Sequence, residues 1–200
     1  MRTKPLAAAA LVVIGGLTLA ACGDSEDSMP GMSGMESSTP AEPTESSLSI
    51  NDADVSFATE MIPHHRQAVE MAQLAESRAK NPEVKELAMA IMKAQDPEIK
   101  TMSGWLTSWG EPVPEDMAGM DMSSSMPGMM SSDDMDKLAN TTGNEFDRMF
   151  LTMMIEHHEG AIEMAKAEQA DGSYPDAVAL AKQIEAAQTN EITTMKGLLG

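Results

Sequence analysis

The chain of 200 residues contains a single cysteine, so no internal disulfide can staple it and no cysteine cluster can hold zinc. Aromatic side chains are scarce as well. Three Phe, two Trp and one Tyr are too few for a β-sandwich core or for a surface that stacks nucleobases. Basic residues are outnumbered, 13 Lys and Arg against 32 Asp and Glu, and the net charge of −19 repels phosphate backbones. Nucleic acid is therefore excluded as a partner, while cations are favoured. No Ser/His/Asp set and no phosphate-cradling glycine loop is visible. What the chain has in excess is methionine, 21 residues. Methionine mostly fills cores, so the positions decide what these are for.

The only long apolar run is at the start. Arg2 and Lys4 precede an apolar stretch from Leu6 to Ala21 that stops at Cys22. A basic n-region, a short apolar region and small residues before a cleavage point make residues 1–21 a signal peptide. The run is too short, and too rich in Ala and Gly, to span a membrane comfortably. Leu19-Ala20-Ala21-Cys22 resembles the bacterial lipobox, in which the cysteine becomes the lipid-modified first residue of the mature chain. The expectation is an exported protein held to the outer face of a membrane through a lipid on Cys22. An ordinary signal peptide with an incidental cysteine is the alternative.

Residues 22–50 contain Ser, Pro, Glu, Asp, Gly and Met with almost no other apolar side chain, which predicts a disordered tether. A second stretch of the same character, 111–132, divides the rest of the chain. On either side of it lies an internal repeat. Shifting residues 57–106 by 93 positions aligns them without a gap to 150–199, with 22 identities in 50 positions. Each half reads as helix, short break, helix. Asn51 or Asp52 suits the first cap, and Pro82 and Pro175 suit the first turns of the second helices. Asp133 to Asn140 adds a short helix before a long one that starts near Asn144. The predicted fold is all-α: a four-helix bundle over 51–200, made from a duplicated hairpin with halves 51–109 and 144–200.

Helical periodicity places the chemistry. At about 100° per residue, Met61, Ile62, His64, His65, Ala68, Val69, Met71 and Ala72 share one arc of the first helix. Arg66 and Glu70 fall outside it. The repeat gives Met154, His157, His158 and Met164 the same arrangement. The second helix of each hairpin carries Leu87, Ile91, Ala94, Glu98 and Met102, or Leu180, Ile184, Ala187, Glu191 and Met195, on one stripe. Glu98 and Glu191 are thus carboxylates within an apolar stripe, where each needs a proton, a hydrogen-bond partner or a metal. Pro63, whose counterpart is Glu156, is expected to kink the first helix beside His64. Buried His–Glu pairs with methionine as filler would account for the pattern structurally. Paired histidines with methionine three residues before and seven after, twice over, also suit a soft ion such as Cu(I) or Ag(I).

The non-helical stretches carry a separate signal. Met29, Met32 and Met35, and then Met117, Met120, Met122, Met126, Met129 and Met130, have no periodic apolar pattern around them. They are not expected in the core, and exposed thioethers invite a role as weaker metal ligands.

The motifs Met61-Ile62-Pro63-His64-His65 and Met154-Ile155-Glu156-His157-His158 resemble those of the domain of unknown function 305 family. The resemblance covers roughly residues 50–199. It implies a ferritin-like four-helix fold, export and, from some relatives, copper binding through Met61, His64, His65, Met154, His157 and His158. Three functions follow as expectations. The first is a lipid-anchored copper or silver protein that sequesters metal or hands it to a transfer partner, with Met71, Met164, Glu98, Glu191, Met102 and Met195 completing the sites. The second is a di-iron oxidoreductase, although Met61 and Met154 stand where such bundles place a glutamate. The third is a helical interaction module without metal.

Overall fold

A computed structural model describes residues 49–114 and 126–200. The signal-peptide, Cys22 and tether expectations lie outside these residues, as do Met117, Met120 and Met122. Among the described residues there are five helices: α1 (Asp52–Arg78), α2 (Pro82–Trp109), α3 (Ser132–Asn140), α4 (Gly143–Asp171) and α5 (Pro175–Leu199). Among the described residues there is no strand, and no helix is long and apolar enough to cross a membrane. The protein is all-α, as its repeat predicts.

Local chemistry sets the helix ends. The Asn51 side chain accepts from the amides of Ala53 and Asp54, while Asp54 accepts from the Asn51 amide, a reciprocal cap. Pro82 and Pro175 occupy the first turns of α2 and α5, where a missing N–H costs nothing. Gly110 ends α2 with a left-handed φ of 79°. Pro63 lies inside α1 and is buried, yet α1 runs through it without interruption.

The two hairpins α1–α2 and α4–α5 join chiefly through α1 against α4, with α2 and α5 on the outside. Alanines at 58, 68, 72, 75, 161 and 165 are buried and let these helices approach closely. On α2 and α5 one correction is needed. Ala94 and Ala187, expected on the buried stripe, are exposed, and Gln95 and Gln188 are buried instead. Ala94 lies at one margin of the expected stripe and Gln95 just beyond the other, and the helices are rotated by roughly half a residue step, so that the amide rather than the methyl faces inward.

A pair of buried carboxylates locks the halves together. Asp54 Oδ1 accepts from the amides of Ser173 (3.0 Å) and Tyr174 (2.8 Å) in the turn between α4 and α5. Asp147 accepts from the amides of Lys80 and Asn81, both at 2.9 Å, in the turn between α1 and α2. The two aspartates and the two turns are all related by the 93-residue shift, so the repeat extends beyond the stretch recognised by its identities. Each half satisfies orphan donors of the other. Asp147→Ala removes the acceptor of two part-buried amides and is expected to cost about 1–3 kcal/mol of unfolding free energy, with Asp147→Asn intermediate, measured by urea denaturation.

Candidate metal centre

His64 of α1 and His157 of α4 meet at the middle of the bundle. Their ring centroids are 3.8 Å apart, with planes inclined at 44°, and both side chains are fully buried. The Nε2 of His64 lies 3.0 Å from the carbonyl oxygen of Pro127. A carbonyl only accepts, so His64 carries its proton on Nε2 and leaves a lone pair on Nδ1. Neither that Nδ1 nor either nitrogen of His157 has a hydrogen-bond partner.

The second histidine of each pair is tied to a carboxylate. His65 Nε2 is 2.7 Å from Glu98 Oε2, and His158 Nε2 is 2.7 Å from Glu191 Oε2. The glutamates are 19% and 20% exposed, so each spans from solvent to a buried ring. This meets the need for a partner that the sequence set for them. It also fixes the orientation of each ring and leaves its Nδ1 buried and without a partner. Gln95 and Gln188, one turn earlier on the same helices, add buried amide atoms without partners. Their identity across the repeat was the available signal, and it pointed away from simple packing.

The methionines separate into two groups. Met61 packs in one core cluster with Met102 and Met164, and Met71 packs in the other with Met154 and Met195. Methionines before and after one histidine therefore belong to opposite ends of the bundle. Each end draws one from α1, one from α4 and one from an outer helix, because α1 and α4 run antiparallel. All six are buried.

The linker departs from expectation. Met126 and Met130 are buried, and Met130 belongs to the cluster that includes Leu138 and Phe146, while Met129 is half-buried. At these two positions the segment is part of the core despite lacking any helical period, because it docks as a loop. The carboxylate-rich set required by the di-iron alternative is not assembled. Glu98 and Glu191 each end on a different histidine, and among the described residues no group of three His, Cys, Asp or Glu side chains converges on one point.

Burial controls the charge of the central pair. It pushes His64 down to about 3, helped by the neighbouring His65 and opposed by the hydrogen bond to Pro127. His157 is depressed by burial first and then by His64, His158 and His65. Both rings are neutral at ordinary pH, the state in which a nitrogen can ligate. Glu168, at the position equivalent to Ala75, shows the opposite effect. Burial, and then its interaction with Asp54, raises its carboxyl to about 8. A histidine depressed on folding leaves the unfolded chain binding more protons below 6.5. Stability should therefore fall as pH drops below 6.5, through the range down to about 3 for His64, with His157 acting in the same direction. Urea midpoints across this range should show a shallower fall in His157→Gln.

A family model described as domain of unknown function DUF305 matches residues 54–199. The structure is similar to a DUF305 protein from Streptomyces coelicolor at 35% identity and a TM-score of 0.67, covering 74% of this chain and 91% of that one. A DUF305 fragment from Deinococcus radiodurans is 32% identical with a TM-score of 0.68, over 76% and 97% of the two chains. CopM, solved in Cu(I)-, Cu(II)- and Ag-bound forms, is 39% identical in its Cu(II) form, with a TM-score of 0.63 over 73% of this chain and 95% of that one. None of the curated proteins compared matches the sequence.

Proposed function

The chain belongs to the DUF305 family, and from that premise we propose that it is an exported, lipid-anchored protein that sequesters Cu(I) or Ag(I) through histidine and methionine ligands. One observation carries this reading. Four fully buried histidines present ring nitrogens without partners, between two sets of buried thioethers. An unpaired buried nitrogen is costly unless something else satisfies it. Neutral imidazole and thioether together select soft ions over hard ones. The copper- and silver-bound forms of CopM support the same choice of ion. Cysteine takes no part within the bundle, whose only candidate thiol, Cys22, is given to the lipid.

Within this reading His64 and His157 are the central ligands, with Nδ1 of His65 and His158 beside them. Glu98 and Glu191 act through those rings by holding the proton on Nε2. Met61, Met102 and Met164 serve one end, and Met71, Met154 and Met195 the other. Met117, Met120 and Met122 collect metal at lower affinity. A partner that receives the ion belongs to the same proposal.

Anaerobic Cu(I) titration against a competing chelator tests it. The double variant His64→Ala/His157→Ala should lose the tightest binding while its helical circular dichroism persists. Glu98→Gln with Glu191→Gln should weaken binding about 10–100-fold. Leucine at 117, 120 and 122 should remove only weak equivalents. Full high-affinity binding by the double histidine variant would mean that the rings only pack. For the anchor, Cys22→Ser should move the protein from the membrane fraction to the soluble fraction, and unchanged retention would remove that part of the proposal.

A further inference from the structure

Residues 126–130 lie across the middle of α1 and α4, and the two halves of the repeat have diverged to receive them. The Gln67 side chain clasps the backbone of Met130, its Nε2 donating to the carbonyl at 2.9 Å and its Oε1 accepting from the amide at 2.8 Å. The repeat counterpart of Gln67 is Gly160. A side chain there would run into the carbonyl of Pro127 and come within 2.7 Å of the Gly128 nitrogen. Gly128 has a φ of +74°, and a Cβ on it would stand 2.7 Å from the Glu156 carbonyl oxygen and 2.9 Å from that of His157. Two glycines thus let two backbones touch beside His157. Between them the Pro127 carbonyl accepts from His64. Arg66, next to His65, donates to the Pro114 carbonyl at 2.7 Å, so neighbouring residues of α1 hold both described ends of the linker.

We propose that 126–130 is a strap that gates the His64–His157 pair, fixing His64 with its lone pair on Nδ1 when docked and moving aside to pass a soft metal ion. This rests on the metal-binding function above and adds its regulation. Both rings are fully buried with the strap in place, so an ion reaches them only if something moves. The α1–α4 contact is the core of the bundle. The strap is held by one hydrogen bond from His64, two to Gln67 and the burial of Met126 and Met130. The strap is the element of lower local stability. A gate opens for entry and exit alike, so loosening it raises both rates by the same factor and leaves the affinity unchanged.

Gln67→Ala removes the clasp without touching a ring, and Gly160→Ala drives a methyl group into the Pro127 carbonyl. In the metal-free protein both variants should accelerate exchange of the Met130 amide, and carbethoxylation of His64 and His157 by diethylpyrocarbonate, about tenfold or more. With Ag(I), Gln67→Ala should quicken association and dissociation together while its Kd stays within about twofold, whereas Gly160→Ala, which displaces the carbonyl that fixes His64, should quicken both and also weaken binding. Unchanged histidine reactivity in the metal-free variants overturns the strap whether or not metal binds. Faster Met130 exchange with unaltered Ag(I) rates overturns the gate. Failure of the unmodified protein to bind Ag(I) or Cu(I) overturns the metal-binding function instead, and the metal-free arm still decides the strap.

Discussion

Two uncharged imidazole rings held 3.8 Å apart at the crossing of α1 and α4 set the terms for the rest of the bundle. The contact is tolerable only while both rings stay neutral, because a charge on either would be buried against the other. It fixes the register of the antiparallel pair, which decides that Met61 meets Met164 and that Met71 meets Met154 rather than their own helix neighbours. The outer helices then bring Glu98 and Glu191 to the flanking rings at equal distances of 2.7 Å. The histidines and their carboxylate partners thereby form a central polar belt, flanked by apolar clusters, with Asp54, Asp147 and Glu168 as separate buried polar groups towards the ends.

The pattern is nearly two-fold, and its departures are concentrated where the linker lies. Gln67 and Gly160 occupy equivalent positions and make opposite contributions, one a clasp and the other a vacancy for a backbone. His64 is engaged by Pro127, whereas His157 keeps both nitrogens without partners. Glu168 is the exception, far from the linker in sequence and under the electrostatic influence of Asp54 where the other half has Ala75. A duplicated scaffold thus offers two chemically matched rings and treats them differently.

The halves, the helix ends and the facing histidines were legible because helical periodicity reports directly which side chains share a face. The pairing of His65 with Glu98 was legible in part, since a carboxylate on an apolar stripe must find a partner even though periodicity does not name it. Gln95 escaped because the stripe drawn through Leu87, Ala94 and Glu98 is centred roughly 50° from the face that is buried, which includes Gln95 and leaves Ala94 outside. The burial of Met126 and Met130 escaped for a different reason. Their segment has no repeat of its own, and its place is set by contact between backbones at Gly128 and Gly160 and by one amide side chain. Asp54 and Asp147 escaped because a short acidic side chain near a helix start normally serves its own helix. Asp54 does so as well, while reaching across to the other half.

That reach has a consequence for how the molecule comes apart. The turn of each hairpin leans on the other half: the amides of Lys80 and Asn81 donate to Asp147 of α4, and those of Ser173 and Tyr174 to Asp54 of α1. Loss of either half strips the other of these turn contacts as well as of its core, so the two hairpins are expected to melt in one transition although they are similar in sequence and separated by a long linker. In topology the molecule is a two-fold dimer whose subunits share one chain. The covalent joint leaves the linker under no obligation to hold the halves together by contact.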